Sequence, residues 1–410
     1  MVALRPHHGG NLAWAAAQAN CSIEEILDFS ASINPLGPPR SAIAALTENL
    51  SQLHAYPDPS YRSLCQSLAQ FHGLDPDWIL PGNGAAELLT WAARDLVAAA
   101  EPTWVLAPGF RDYGRALAAF GGTGRSLLLP VCADRADPLA ANRDHPAADG
   151  CDQRPSAPYS SKPSSPSPSN PPPWTTPQQP LPLPPEPGPF LVNTPHNPTG
   201  LLLDCQPLRS WLETGALVVV DEAFLDFLPQ GDRHSCIPWL TQFPNLVVIR
   251  SLTKFYSLPG LRLGYAVGHP DRLRRWQQWR DPWSVNSLAA AVGTVVVQDR
   301  DFQTKTWAWL PPARDRLFQG LQSVPGLVPY PGAVNFLLVR FEAEARVARS
   351  VLDLQAKLLR QHRILIRDCL SFPELGDRFF RVAVRTDSDN QRLITALNAI
   401  ATDSPTEQQD

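Results

Sequence analysis

The chain has 410 residues, a net charge of -4 and no long lysine or arginine run, which argues against an electrostatically held nucleic-acid or anionic-membrane partner. Its length predicts two or three domains, and 44% hydrophobic content suffices for sizeable cores. No apolar run reaches the length of a membrane span, residues 1–10 lack a signal-peptide profile, and seven cysteines without a Cys-x-x-Cys pair fit a reducing cytoplasm better than a disulfide framework or metal site.

His7-His8-Gly9-Gly10-Asn11 precedes a predicted helix over 12–19. Residues 28–39 contain Asn-Pro and Gly-Pro steps that force an extended, turn-rich path, and their small and polar side chains, Asn34 among them, predict a lining rather than a core. Helical periods follow over 41–53 and 61–71, separated by Tyr56-Pro57-Asp58-Pro59. Pro81-Gly82-Asn83-Gly84-Ala85-Ala86 then opens a helix to about residue 98. Free amides at such a helix start make an anion site, and Gly84, Ala85 and Ala86 leave room for a phosphate to reach the backbone.

A predicted strand (103–107), a helix from Phe110 to residue 120 and a strand (126–131) continue the β/α alternation of a mostly parallel sheet covered by helices. From 133 to 189 the pattern collapses. Residues 155–189 hold 15 prolines among Ser, Gln and Thr, which predicts a disordered or polyproline-like insertion.

The alternation resumes with strand 190–193, a loop carrying Asn197, helix 204–214 and strand 216–220, which ends at Asp221-Glu222. The apolar run 246–249 leads into Ser251, Thr253 and Lys254, and Gly260-Leu261-Arg262-Leu263-Gly264 follows. Of the four lysines, at 162, 254, 305 and 357, Lys254 alone lies between buried elements, in a polar turn just beyond a strand. An amine there can be desolvated and kept partly neutral, which is what a Schiff-base lysine requires, whereas a lysine that merely caps a strand end is the plainer reading of this stretch alone. Beyond residue 271, helices (271–280, 287–297, 307–321, 346–360, 389–401) and short strands (335–339, 364–367, 379–384) predict an α+β second domain. The expected division is an arm at 1–40, a large domain at 41–285 interrupted by the insertion, a small domain at 286–402 and a tail at 403–410.

Asn197, Asp221 and Lys254 fall at or just after strand C-termini, where open α/β sheets bind ligands. With the phosphate-ready helix start they match what pyridoxal phosphate requires: a lysine for its aldehyde, a carboxylate for its ring nitrogen, a donor for its ring oxygen and amides, hydroxyls and a cation for its phosphate.

These motifs, in this order, resemble the aminotransferase class I and II family over nearly the whole chain outside the insertion. The resemblance implies an α/β, fold type I pyridoxal phosphate enzyme with a mostly parallel sheet in the large domain. It makes Lys254 the Schiff-base lysine, Asp221 the partner of the ring nitrogen, Asn197 the ring-oxygen donor and Phe110 the stacking ring. Gly84, Ala85, Ala86, Ser251, Thr253 and Arg262 would hold the cofactor phosphate, with Tyr56 reaching over from the second subunit of a homodimer. His8-Gly9-Gly10-Asn11 and Asp28 to Gly37 are similar to the threonine-phosphate decarboxylase branch, which serves cobalamin side-chain assembly; the histidinol-phosphate aminotransferase branch is the alternative. On either reading the substrate is a small phosphorylated amine, met by His8, Gly9, Asn34, Asn197, Arg367 and Arg381. His196 and Phe224 depart from the family pattern, which more often has Asn and Tyr there, and the role of Arg385 is left open.

Overall fold

The computed structural model describes residues 5–6, 8–99, 101–129, 178–229, 231–342, 345 and 347–403. Seven strands form the larger sheet: β1 (Ile79–Gly82), β2 (Thr103–Ala107), β3 (Gly124–Leu128), β4 (Phe190–Asn193), β5 (Val218–Asp221), β6 (Leu246–Ser251) and β7 (Gly264–Gly268). Their spatial order is β1-β7-β6-β5-β4-β2-β3, and β7 runs antiparallel to both its neighbours while the other pairs are parallel. Every residue of β4, β5 and β6 is buried, as expected for central strands covered on both faces, and this is why they read as continuous apolar runs.

The predicted strand at 126–131 lies two residues earlier, at Gly124–Leu128. The predicted helix at 204–214 is shorter, Leu208–Leu212, because Leu203–Asp204 is a strand paired in parallel with Gln179–Pro180. That pairing also corrects the expected disordered insertion at its C-terminal end: Leu181 is buried, the Gly188 carbonyl accepts from Trp211 Nε1 at 3.2 Å, and the Pro189 carbonyl accepts from the Trp104 amide at 2.8 Å. Residues 133–177 of the expected insertion lie outside the described residues.

Four antiparallel strands form the second sheet, β8 (Leu327–Pro329), β9 (Phe336–Phe341), β10 (Arg367–Asp368) and β11 (Phe379–Ala383), in the order β8-β9-β11-β10. The helix before it runs Arg300–Gln322, about two turns earlier than the apolar period suggested, because Asp299 caps it by accepting from the Phe302 amide at 3.0 Å. Leu27–Asp28 pairs in parallel with Ile364–Leu365, and the Phe29 carbonyl accepts from the Ala383 amide at 2.9 Å. The N-terminal segment is thereby sewn onto the second sheet and delivers residues 30–33 to the carboxyl ends of β4, β5 and β6. No helix among the described residues is long and apolar enough to cross a membrane.

Candidate active site

In-register pairing sets Asn193, the last residue of β4, beside Asp221, the last residue of β5, which in turn pairs with Ile249 of β6. A cavity of about 330 Å³ opens there, and its lining includes Asp221, Lys254, Asn197, Phe110, Arg367 and Arg381. Lys254 lies in a buried helical turn, Leu252–Phe255, rather than in the polar turn expected. Ser251 caps that turn through its hydroxyl. Burial pushes the Lys254 amine down to about 8, with Asp221 opposing the shift and Arg262 and Arg381 adding to it. Its Nζ lies 3.4 Å from Thr253 Oγ1 and 5.3 Å from the centre of the Phe224 ring.

Asp221 is buried, which raises its pKa, and two donors work against that rise: Tyr113 Oη donates to Oδ2 at 2.8 Å and the Ala223 amide to Oδ1 at 3.0 Å. Tyr113 escaped the sequence reading. Its spacing from Phe110 was the available signal, since residues three apart share a helix face, and the two rings meet edge to face with centroids 5.5 Å apart.

Gly84 caps the Ala85–Val97 helix at φ +76°, and a Cβ on it would come within 2.5 Å of Arg262 Nη2. Only glycine lets the guanidinium lie against the backbone there. Ala85, Ala86, Ser251, Thr253 and Arg262 line the cavity, with Ser251 Oγ and Thr253 Oγ1 2.7 Å apart. Arg262 itself adopts a left-handed φ of 58°, a strained conformation for a side-chain-bearing residue of the kind that collects at functional sites.

Arg367 and Arg381 face the cavity from β10 and β11. Burial lowers the pKa of both, that of Arg381 to about 10. Arg381 donates to Asn197 Oδ1 and lies over the Phe336 ring, 4.6 Å from its centre; Arg367 donates to Ser371 Oγ at 2.5 Å. His8 and Gly9 complete this end, the His8 ring centroid 5.8 Å from that of Phe110. A Cβ on Gly9 would run into the Ser30 carbonyl, and the Gly10 amide donates to Ser30 Oγ at 2.8 Å, so the arm lies tightly on the loop below it.

Asn34 does not reach the cavity. Its Nδ2 donates to the Phe255 carbonyl and to Thr306 Oγ1, both at 2.9 Å, and its Oδ1 accepts from the Leu36 amide at 3.1 Å, so it fastens the loop instead. Ser30, Ala31, Ser32 and Ile33 of this loop line the cavity instead, and the buried Ser32 hydroxyl has no hydrogen-bond partner among the described residues. Tyr56 is also outside this chain's cavity, 80% exposed and against Trp283 with centroids 4.7 Å apart. His196 is a core residue, its Nδ1 2.7 Å from Thr199 Oγ1 and its pKa pushed to about 3 by burial. Arg385 is structural too, donating to Asp389 Oδ2 at 3.0 Å and to the Asp28 carbonyl at 3.1 Å.

The model of the family described as aminotransferase class I and II matches residues 24–129 and 182–397. The chain is 39% identical to the threonine-phosphate decarboxylase of Salmonella typhimurium, covering 98% of each chain. It is 27% identical to the histidinol-phosphate aminotransferase of Methanothermobacter thermautotrophicus, covering 92% of this chain and 89% of that one. Among solved structures it is similar to the histidinol-phosphate aminotransferase of Sinorhizobium meliloti in complex with pyridoxal-5'-phosphate, with a TM-score of 0.73 at 21% identity over 98% of each chain. The L-threonine-O-3-phosphate decarboxylase of Porphyromonas gingivalis gives a TM-score of 0.68 at 21% identity over 90% of this chain and 98% of that one.

Proposed function

The chain belongs to the aminotransferase class I and II family, and from that premise we propose that this pyridoxal phosphate-dependent enzyme decarboxylates L-threonine O-3-phosphate to (R)-1-aminopropan-2-yl phosphate for cobalamin assembly. The observation that carries the proposal is the placing of two buried arginines, Arg367 and Arg381, with His8 in the cavity that holds Lys254. Two cations at separate positions suit a substrate with two anionic groups, a carboxylate and a phosphate. The 39% identity to a threonine-phosphate decarboxylase supports the same reading.

The residues present fit the cofactor. Lys254 has an amine poised near 8, Asp221 a buried carboxylate, and the Gly84 helix start with Ser251, Thr253 and Arg262 forms a cradle that a larger residue at 84 would fill. When bound, pyridoxal phosphate supplies an electron-accepting ring conjugated to the substrate's α carbon.

The chain's own groups do the rest. Asp221, whose carboxylate accepts from Tyr113 and the Ala223 amide against the upward push of burial, would pair with the ring nitrogen and favour its protonated form. Because Arg381 occupies Asn197 Oδ1, the Asn197 Nδ2 group is left to donate to the ring oxygen. Arg381 orients the substrate carboxylate, and Arg367, His8 and the Gly9 amide hold its phosphate. Lys254 gives or takes the proton at the α carbon. By fixing the carboxylate and the phosphate separately, Arg381 and the Arg367/His8 anchor would decide whether the bond to the carboxylate or the bond to hydrogen is presented for cleavage. Tyr56, exposed on one protomer, completes the partner's phosphate cradle in a homodimer.

The test supplies threonine phosphate and histidinol phosphate separately to the holoenzyme. Carbon dioxide from the first without a keto-acid acceptor supports the proposal. Acceptor-dependent turnover of histidinol phosphate alone assigns the transaminase reading instead.

A further inference from the structure

Asp368 follows Arg367 on β10, is buried, and divides its carboxylate between two arginines. Oδ1 pairs with the Arg5 guanidinium of the N-terminal arm, and Oδ2 lies 3.6 Å from Arg367 Nη1. The Leu370 amide donates to Oδ1 at 3.2 Å, which fixes the carboxylate in place. Arg5, Pro6, His8, Gly9, Arg367 and Asp368 also line one small cavity beside the main one, so arm and strand are continuous at this point.

The arm is therefore fastened twice. Beyond His8, Gly9 packs on the Ser30 carbonyl and the Gly10 amide donates to Ser30 Oγ, which itself donates to Asp28 Oδ1 at 2.6 Å. Before His8, the hold is Arg5 on Asp368. His8 sits between the two fastenings, over the cavity.

We infer that Asp368 is a positioning residue that couples the docking of the N-terminal arm, through Arg5, to the orientation of the anion-binding Arg367. A lone buried carboxylate beside Arg367 would repel a substrate phosphate. Arg5 neutralises it and in the same contact brings His8 to the site, so a single pairing both removes a repulsion and adds a donor. The inference rests on the reading of Arg367 and His8 as the phosphate anchor.

The experiment compares wild type with Arg5→Ala, Arg5→Lys, Asp368→Asn and the Arg5→Ala/Asp368→Asn double variant, all as holoenzyme, with whichever phosphorylated amine the wild type turns over. Arg5→Ala is expected to raise KM about tenfold, the equivalent of about 1.4 kcal/mol, with kcat within about twofold of wild type. Arg5→Lys recovers most of that loss, and the double variant is no worse than Arg5→Ala, because a neutral amide in place of the carboxylate no longer needs a counter-ion. An unchanged KM in Arg5→Ala, or a double variant whose losses simply add, overturns the inference. Amide exchange over residues 5–11, read without substrate, guards against a misassigned reaction: it should quicken in Arg5→Ala while residues 379–383 stay protected, and unchanged arm exchange refutes the coupling whatever the substrate. Failure of the functional reading shows separately, as wild type that releases no carbon dioxide from threonine phosphate.

Discussion

Arg367 on β10 and Arg381 on β11 stand directly opposite each other across an antiparallel pair, so both guanidinium groups leave the sheet on the same face. Like charges so placed destabilise the strands that carry them, and burial adds to the strain. Such a pair is explained by anions that arrive between or beside them.

Replacing Arg367 with Gln should therefore separate binding from folding. KM for the phosphorylated substrate should rise about 10- to 100-fold, the loss of a charge-assisted hydrogen bond or two, while the melting temperature of the substrate-free enzyme does not fall. Cofactor affinity, read by equilibrium dialysis, should stay within about threefold of wild type. Equal losses of substrate and cofactor would put Arg367 in the wrong place.

Tyr113→Phe removes the hydroxyl that donates to Asp221 Oδ2. That donor opposes the upward push of burial on the Asp221 carboxyl, so its loss raises the pKa further. The acid limb of the kcat profile should move to higher pH, and kcat should fall roughly 10- to 100-fold, in line with about 1.5–3 kcal/mol for a hydrogen bond to a charged group. A pH profile that keeps its acid limb would exclude Tyr113 from tuning Asp221.

Lys254 reacts with the cofactor as a neutral amine, and burial brings its pKa from the ordinary lysine range to about 8. Below that value the proton must be lost first. The rate of reloading cofactor-free protein should thus climb with pH up to about 8 and level off, instead of climbing on toward about 10.4 as for a free lysine. Lys254→Ala should abolish this pH dependence and the absorbance band that the lysine–cofactor linkage gives.

Asn34→Ala should cost stability rather than substrate affinity. It removes the two hydrogen bonds that tie the loop to Phe255 and Thr306 and leaves those groups buried, a loss of about 2–4 kcal/mol visible as a lower denaturation midpoint. KM should hold within about twofold of wild type.

Asp221, Asn197 and Lys254 were legible in the sequence because each follows an apolar run that has to be a buried parallel strand, and ligands gather where such strands end. The loop at 30–34 was not. Its path is irregular, so no period tells which of Ser32 and Asn34 faces inward, and the more polar side chain turned out to be a fastener. The C-terminal arginines were told apart by the resemblance: Arg381 lies within β11 and faces the cavity as the resemblance implied, whereas Arg385, whose role was left open, lies past the strand and is taken by Asp389 and the Asp28 carbonyl. Asp368 was invisible for a further reason. Its partner Arg5 lies near the opposite end of the chain, and only the pairing of Leu27–Asp28 with Ile364–Leu365 brings the two ends together.

The most direct measurement follows carbon dioxide release from L-threonine O-3-phosphate by the purified holoenzyme in the absence of any keto acid. The expected result is stoichiometric release with formation of aminopropanol phosphate, saturable in wild type and weakened chiefly through KM in Arg367→Gln. No release, together with turnover of histidinol phosphate once 2-oxoglutarate is added, would contradict the decarboxylase assignment.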